Sequence, residues 1–174
     1  QQNVALEVRS VRDDNEQQIA DIAYFIEKQV DLLVVSPNEA HAVTPVVERA
    51  YRAGIPVVVI DRKIESDQYT AFVGADNVQI GQAMGNYVRS IRQRPLRLFE
   101  IGGLAGSTPA MERTRGLHSV LDSLEDVTMV GHIDASWRME EAERLMDSVF
   151  SRHPDIDLVV AQNDRMALGA RKAA

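Results

Sequence analysis

An α/β fold of two lobes with parallel sheets is what this 174-residue sequence predicts, and three observations predict it. Apolar runs of strand length alternate with longer stretches whose apolar residues recur every three or four positions, the order of a parallel sheet with helical crossovers. The strongest runs, residues 31–36 and 55–60, are continuously apolar at their centres, as strands are when helices cover both faces. Near Asn77 the alternation starts afresh, which points to a second lobe.

The elements follow in order. Val4, Leu6 and Val8 open the chain as a strand over residues 4–8, and the Asp13, Asp14, Asn15 cluster offers an N-cap to a helix over 16–29. Ile19, Ile22, Phe25, Ile26 and Val30 form its apolar stripe. A strand over 31–36 is broken by Pro37 and Asn38. After a short helical stretch, Thr44 and Pro45 suit the start of a helix that ends at Gly54. A third strand, 55–60, runs into Asp61 and Arg62, and a shorter one covers 69–75. The second set comprises helix 77–92, strand 96–101, a glycine-rich turn, helix 109–124, strand 127–133, helix 138–150, strand 158–161 and a closing helix containing Met166, Ala167 and Leu168.

Composition narrows the function. With 45% hydrophobic and 26% charged residues the chain can bury a core. A formal net charge of -7 argues against nucleic acid, because neutralising phosphates needs clustered Lys and Arg. The apolar runs fall far short of the roughly 20 residues that cross a bilayer, so no membrane contact is expected of these residues. They carry no basic start followed by an apolar stretch, so location has to come from elsewhere. The absence of cysteine excludes disulfides and thiolate metal sites.

Ligands of open α/β sheets bind beyond the carboxyl ends of the strands, and three places there carry polar chemistry. Asp61 and Arg62 pair an acceptor for neighbouring hydroxyls with a donor fork, although such a pair is more often structural. The turn from Gly102 to Thr108 lacks both the Walker lysine and the dinucleotide spacing, which favours a tight turn over a phosphate cradle. Arg113, one turn into the next helix, either points into a cleft or is solvated. Gln162, Asn163 and Asp164 follow the last strand, where an Asn is often a helix cap. Trp137, the single tryptophan, is either a core plug or a flat wall for a ligand. His41, His118, His132 and His153 show no metal-ligand spacing. There is no Gly-x-Ser-x-Gly elbow, and only Asp164 offers itself as a second carboxylate for Asp61. No catalytic residue, metal or cofactor is expected, and a small neutral or polar ligand fits the charge better.

Five segments at matching distances carry a resemblance. They are residues 54–62, 74–77, 103–116, 153–155 and 161–170, with Asp61, Arg62, Arg113, Asn163 and Met166 among them. Together they resemble the ribose-binding branch of the type I periplasmic binding proteins and the effector domains of LacI-type repressors. The segments 107–113 and 163–167 look still more like the extracytoplasmic sensor domains of Bacteroidetes hybrid two-component sensor kinases. The resemblance implies two Rossmann-like lobes, at 1–75 and 76–174, that close on a monosaccharide about a hinge. It assigns sugar contacts to Asp61, Arg62, Arg113 and Asn163, and a stacking ring to Trp137. A ketose such as fructose, or a ribose-like sugar, is the implied ligand. The implied setting is a periplasmic sensor of a two-component system. A sugar-transport carrier or a cytoplasmic repressor is the alternative, and an enzyme acting on a sugar or sugar phosphate is a more distant one.

The family pattern also has a strand and helix before the equivalent of Val4 and a long stretch after the equivalent of Ala174. It implies that this chain is truncated at both ends. The missing first strand is expected between residues 4–8 and 31–36 on one side and 55–61 on the other, leaving open sheet edges through which a homodimer is conceivable.

Overall fold

The computed structural model describes residues 3–174. These divide into two compact units, one ending at Gly74 and the other beginning at Ala75, and each is an α/β layer structure with its own parallel sheet.

In the first unit α1 (Asn15–Glu27) and α2 (Ala40–Arg52) accompany β1 (Leu33–Val35), β2 (Val57–Ile60) and β3 (Ala71–Val73), which lie in the order β1-β2-β3. Asp14 caps α1 by accepting the Gln17 N–H at 2.9 Å, as the acidic cluster predicts. Leu33 and Val35, Val57 and Val59 alternate onto one face. There they pack with Ile22 of α1 and with Val43, Val46, Val47 and Ala50 of α2. Burying each such side chain contributes about 1.5–3 kcal/mol, which explains why the two helices share that face.

Four expectations for this unit need correction. Residues 4–8 form no strand; Val4, Leu6 and Val8 are exposed by 82%, 83% and 74%, because among the described residues no partner strand lies beside them to take up their N–H and C=O groups. Only one face of the sheet is covered among the described residues, so Leu32 and Val34 stay half exposed. Thr44 and Pro45 do not start α2, which begins at Ala40 and runs through Pro45. The stripe Val43, Val46, Val47 spans the proline, and its burial outweighs one lost helical hydrogen bond. Finally, β1 pairs directly with β2, Leu33 opposite Val57, so no strand is missing between them. The open edge is the far side of β1, where a groove of about 580 Å³ runs between residues 9–13, α1 and β1.

In the second unit α3 (Asn77–Ile91), β4 (Leu96–Gly102), α4 (Thr108–Leu121), β5 (Val127–Asp134), α5 (Met139–Arg152), β6 (Leu158–Ala161) and α6 (Asp164–Ala173) follow the predicted order. The sheet runs β5-β4-β6, all parallel. Its central strand β4 is buried on both faces. Phe99 and Ile101 join Ala142, Met146 and Val149 of α5 and Met166 of α6. Leu98 joins Val88 of α3 and Leu117 and Leu121 of α4. Glu100 lies on the α4 side of the same strand, fully buried. Alternation along a strand with helices on both sides thus buries the β4 side chains from Leu98 to Ile101 on either face.

Candidate ligand-binding site

In the first unit the chain leaves β2 through Asp61, whose φ of 62° is unusual for a residue with a side chain. Its N–H donates to Val73 O at 2.9 Å, which holds the turn. The exposed Asp61 carboxylate makes no hydrogen bond or ion pair with any other side chain among the described residues. Arg62 turns inward: its Nη1 donates to Asn38 O at 2.9 Å and lies 3.3 Å from Asn38 Oδ1. Burial pushes the guanidinium below its usual value, and the neighbouring Asp61 works against that. The pair is therefore no simple surface ion pair; a free acceptor stands beside an arginine tethered to the loop after β1.

The second unit brings three predicted residues together. Arg113 donates from Nε to Asn77 Oδ1 at 3.0 Å and from Nη1 to Gln162 O at 2.7 Å. Its Cζ lies 5.4 Å from the centroid of the Trp137 ring, within cation–π range. The arginine is thus gripped on two sides and is not a solvated side chain. Trp137 itself has a φ of 62°, and Ser136 before it one of 49°. Two consecutive left-handed residues with side chains are costly and persist only where surrounding structure imposes them.

The indole lies against Gly103, where a Cβ would overlap the ring. It packs on the α5/α6 core, and its Nε1 is buried without a hydrogen-bond partner among the described residues. Asn163 serves as the N-cap of α6, its Oδ1 accepting Met166 N–H at 2.8 Å, while its Nδ2 donates to Trp137 O at 3.3 Å. An amide has two donors and two lone pairs, so one of each stays available. The helix-cap reading thus holds, and the side chain keeps polar capacity beyond the cap. The glycine-rich turn behaves as a turn: Gly106 has φ 78°, and Ser107 donates its hydroxyl to Leu104 O.

Behind these residues lies a polar cluster. Glu100 accepts from Thr114 Oγ1 at 2.7 Å and Gln162 Nε2 at 2.9 Å, and faces His132 Nδ1 at 3.1 Å. Burial alone would push its carboxyl up, but the bonds from His132, Thr114 and Gln162 outweigh it and hold the group below its usual value. His132, bonded to Glu100 and also to Asp134, is raised to about 9 against the cost of its partial burial. Sequence reasoning passed over Glu100, Asn77 and Asn38 as site components. A carboxylate inside the apolar run Leu98, Phe99, Glu100, Ile101 was the available signal for the first. Asn38 and Asn77 had only their places after strands.

The architecture and the strand-end polar groups define a binding protein of the periplasmic type. The profile of the periplasmic binding protein domain matches residues 2–174, and the chain belongs to that family, with its type I fold. The ribose import binding protein of Bacillus subtilis (strain 168) is 31% identical over 93% of this chain and 52% of its own length. The fructose-binding periplasmic domain of a hybrid two-component system superposes with a TM-score of 0.93 at 49% identity, over 98% of this chain and 57% of that one. A myo-inositol-bound solute-binding protein from Bacillus halodurans C-125 gives 0.88 at 31% identity, over 93% and 57%. The chain spans about half the length of the curated relatives it matches. By their descriptions these relatives are binding proteins and a fructose-binding periplasmic domain, in line with the binding reading of the residues.

Proposed function

We propose that this chain is part of a periplasmic domain that binds a monosaccharide, and that the domain serves as the sensor of a two-component system. The observation that carries the reading is the 49% identity, over nearly the whole chain, with a fructose-binding sensor domain. Asp61 and Arg62 from the first unit, and Arg113, Trp137 and Asn163 from the second, are the side chains proposed to hold the sugar. Asp61 accepts from hydroxyls, Arg62, Arg113 and Asn163 donate, and the indole offers an apolar face. A ketose such as fructose is the first candidate. Binding produces a signal only to the extent that the sugar prefers one conformational state of the domain. The similarity to a ribose import binding protein favours, as a second reading, a transport carrier for a pentose.

Calorimetric titration of the full-length protein with fructose, ribose and myo-inositol tests this. Saturable binding is expected, weakened about tenfold or more in Asp61→Ala and in Trp137→Ala, since a hydrogen bond to a charged group is worth about 1.5–3 kcal/mol. Chemical conversion of the sugar, or unchanged affinity in both variants, would refute it.

A further inference from the structure

Glu100 is fully shielded from solvent in the central strand of the second sheet, a position in which a charge is tolerated only when its partners satisfy it. They come from three elements. Oε1 accepts from Thr114 Oγ1 of α4 and from Gln162 Nε2 just after β6, while Oε2 faces His132 Nδ1 of β5 at 3.1 Å and His118 Nε2 of α4 at 3.4 Å. A carboxylate is an acceptor only. The NH2 group of Gln162 must therefore face Glu100, and its carbonyl oxygen must face the other way. There it accepts the N–H of Gly103 at 3.1 Å. Thr114 fixes the same orientation, its Oγ1 standing 2.8 Å from Gln162 Nε2.

Gln162, itself buried, touches the support of every candidate ligand residue in this unit. Its main-chain carbonyl accepts Arg113 Nη1 at 2.7 Å. Its side-chain carbonyl anchors Gly103, the residue against which the Trp137 indole lies. It immediately precedes Asn163. Stability alone is a weak account of such a group, because apolar side chains of similar size often serve a core as well as a buried ion pair does.

We propose that Gln162, with its amide turned by the buried carboxylate of Glu100, is a positioning residue that sets Arg113, Trp137 and Asn163 in the geometry that binds ligand. This rests on the reading that those three residues hold a monosaccharide. The carboxylate acts through the amide and does not touch the sugar.

The test uses the full-length protein, with fructose and ribose as calorimetric probes and thermal unfolding measured alongside. Glu100→Gln lets position 100 present either a donor or an acceptor, so the Gln162 amide loses its charged partner and is held by the Gly103 N–H, Thr114 and Ala110 O alone. Affinity is expected to fall about tenfold, beside a lowered unfolding midpoint from the lost His132–Glu100 pair. Adding Gln162→Glu to that variant reverses the pairing, the amide now at 100 and the acceptor at 162, able to take the Gly103 N–H but set against Ala110 O. Affinity is expected to recover part of the loss. Thr114→Val keeps the packing and removes one fixing hydroxyl, with an expected loss of about threefold; it decides the matter if Glu100→Gln does not fold. Affinity unchanged in folded Glu100→Gln and Thr114→Val overturns this inference alone. So does a loss that tracks the unfolding midpoint and is not recovered in the double variant. No sugar binding by the unaltered protein overturns the proposed function together with it.

Discussion

Gly103 lies directly beneath the indole of Trp137, so close that a Cβ on residue 103 would fall within the ring. The contact joins the end of β4 to the loop after β5, where two left-handed residues hold the tryptophan in place. Ala135 and Ser136 complete the junction, their N–H groups donating to Gly102 O and Gly103 O at 3.0 Å.

Gly103→Ala is therefore expected to displace the ring. Overpacking of this kind costs about 1–3 kcal/mol, and if Trp137 forms a wall for a sugar, affinity should fall about tenfold with it. Denaturant unfolding and calorimetric titration of the same variant measure the two effects. An unchanged affinity with lowered stability would mean that the indole is only a core plug.

Stability should depend on pH through His132. Its folded-state value, about 9, lies above the ordinary 6.5, so the folded state binds the proton more tightly than the unfolded chain. The stabilisation is complete below about 6.5 and is lost as pH rises through about 9. Glu100 works in the opposite direction: its depressed value contributes stability above 4.5 that is lost as pH falls through the folded-state value. Denaturation midpoints between pH of about 6 and about 10 should decline at the alkaline end, and His132→Asn should flatten that decline.

Asn163→Ala removes the cap of α6 and the donor to Trp137 O at once. The expected cost is about 1 kcal/mol from the cap. Asn163→Asp keeps the acceptor for Met166 N–H and loses only the donor, so thermal unfolding should separate it from the alanine variant. Both are expected to bind sugar more weakly.

Gly81 of α3 faces the main-chain carbonyl of Arg113 in α4, with no space for a methyl group between the helices. Gly81→Ala should lower stability by about 1–3 kcal/mol despite alanine's better helix propensity, because backbone cannot give way as a side-chain tip can. The shifted helix also strains the bond from Arg113 to Asn77, so ligand affinity should decline in the same titration.

Much of the fold was legible because its signals are local. The stripe of α1, the cap at Asp14 and the strand at 158–161 depend on residues close in sequence, and they fall where periodicity places them. The strand expected at residues 4–8 did not form, since a strand needs a neighbour and periodicity says nothing of one. The Thr44 and Pro45 start failed for a related reason: capping chemistry is local, while burial of Val43, Val46 and Val47 belongs to the whole unit. In the site, Arg113 stands out by its place one turn into the helix after the glycine-rich turn and Asn163 by its place after a strand, and the family resemblance implies their sugar roles. The same reasoning could not tell that one is clamped between Asn77 and Gln162 and the other caps a helix.

By itself the sequence determined the α/β alternation, the parallel order of strands and the identity of the polar residues at their ends, because each follows from side-chain period and turn chemistry. Only the tertiary structure decided which of these residues meet. Glu100, Gln162 and Gly103 are up to about sixty positions apart, and a buried carboxylate selects its partners by geometry in three dimensions. The orientation of one amide, and with it the anchoring of the Gly103 N–H, comes from that choice.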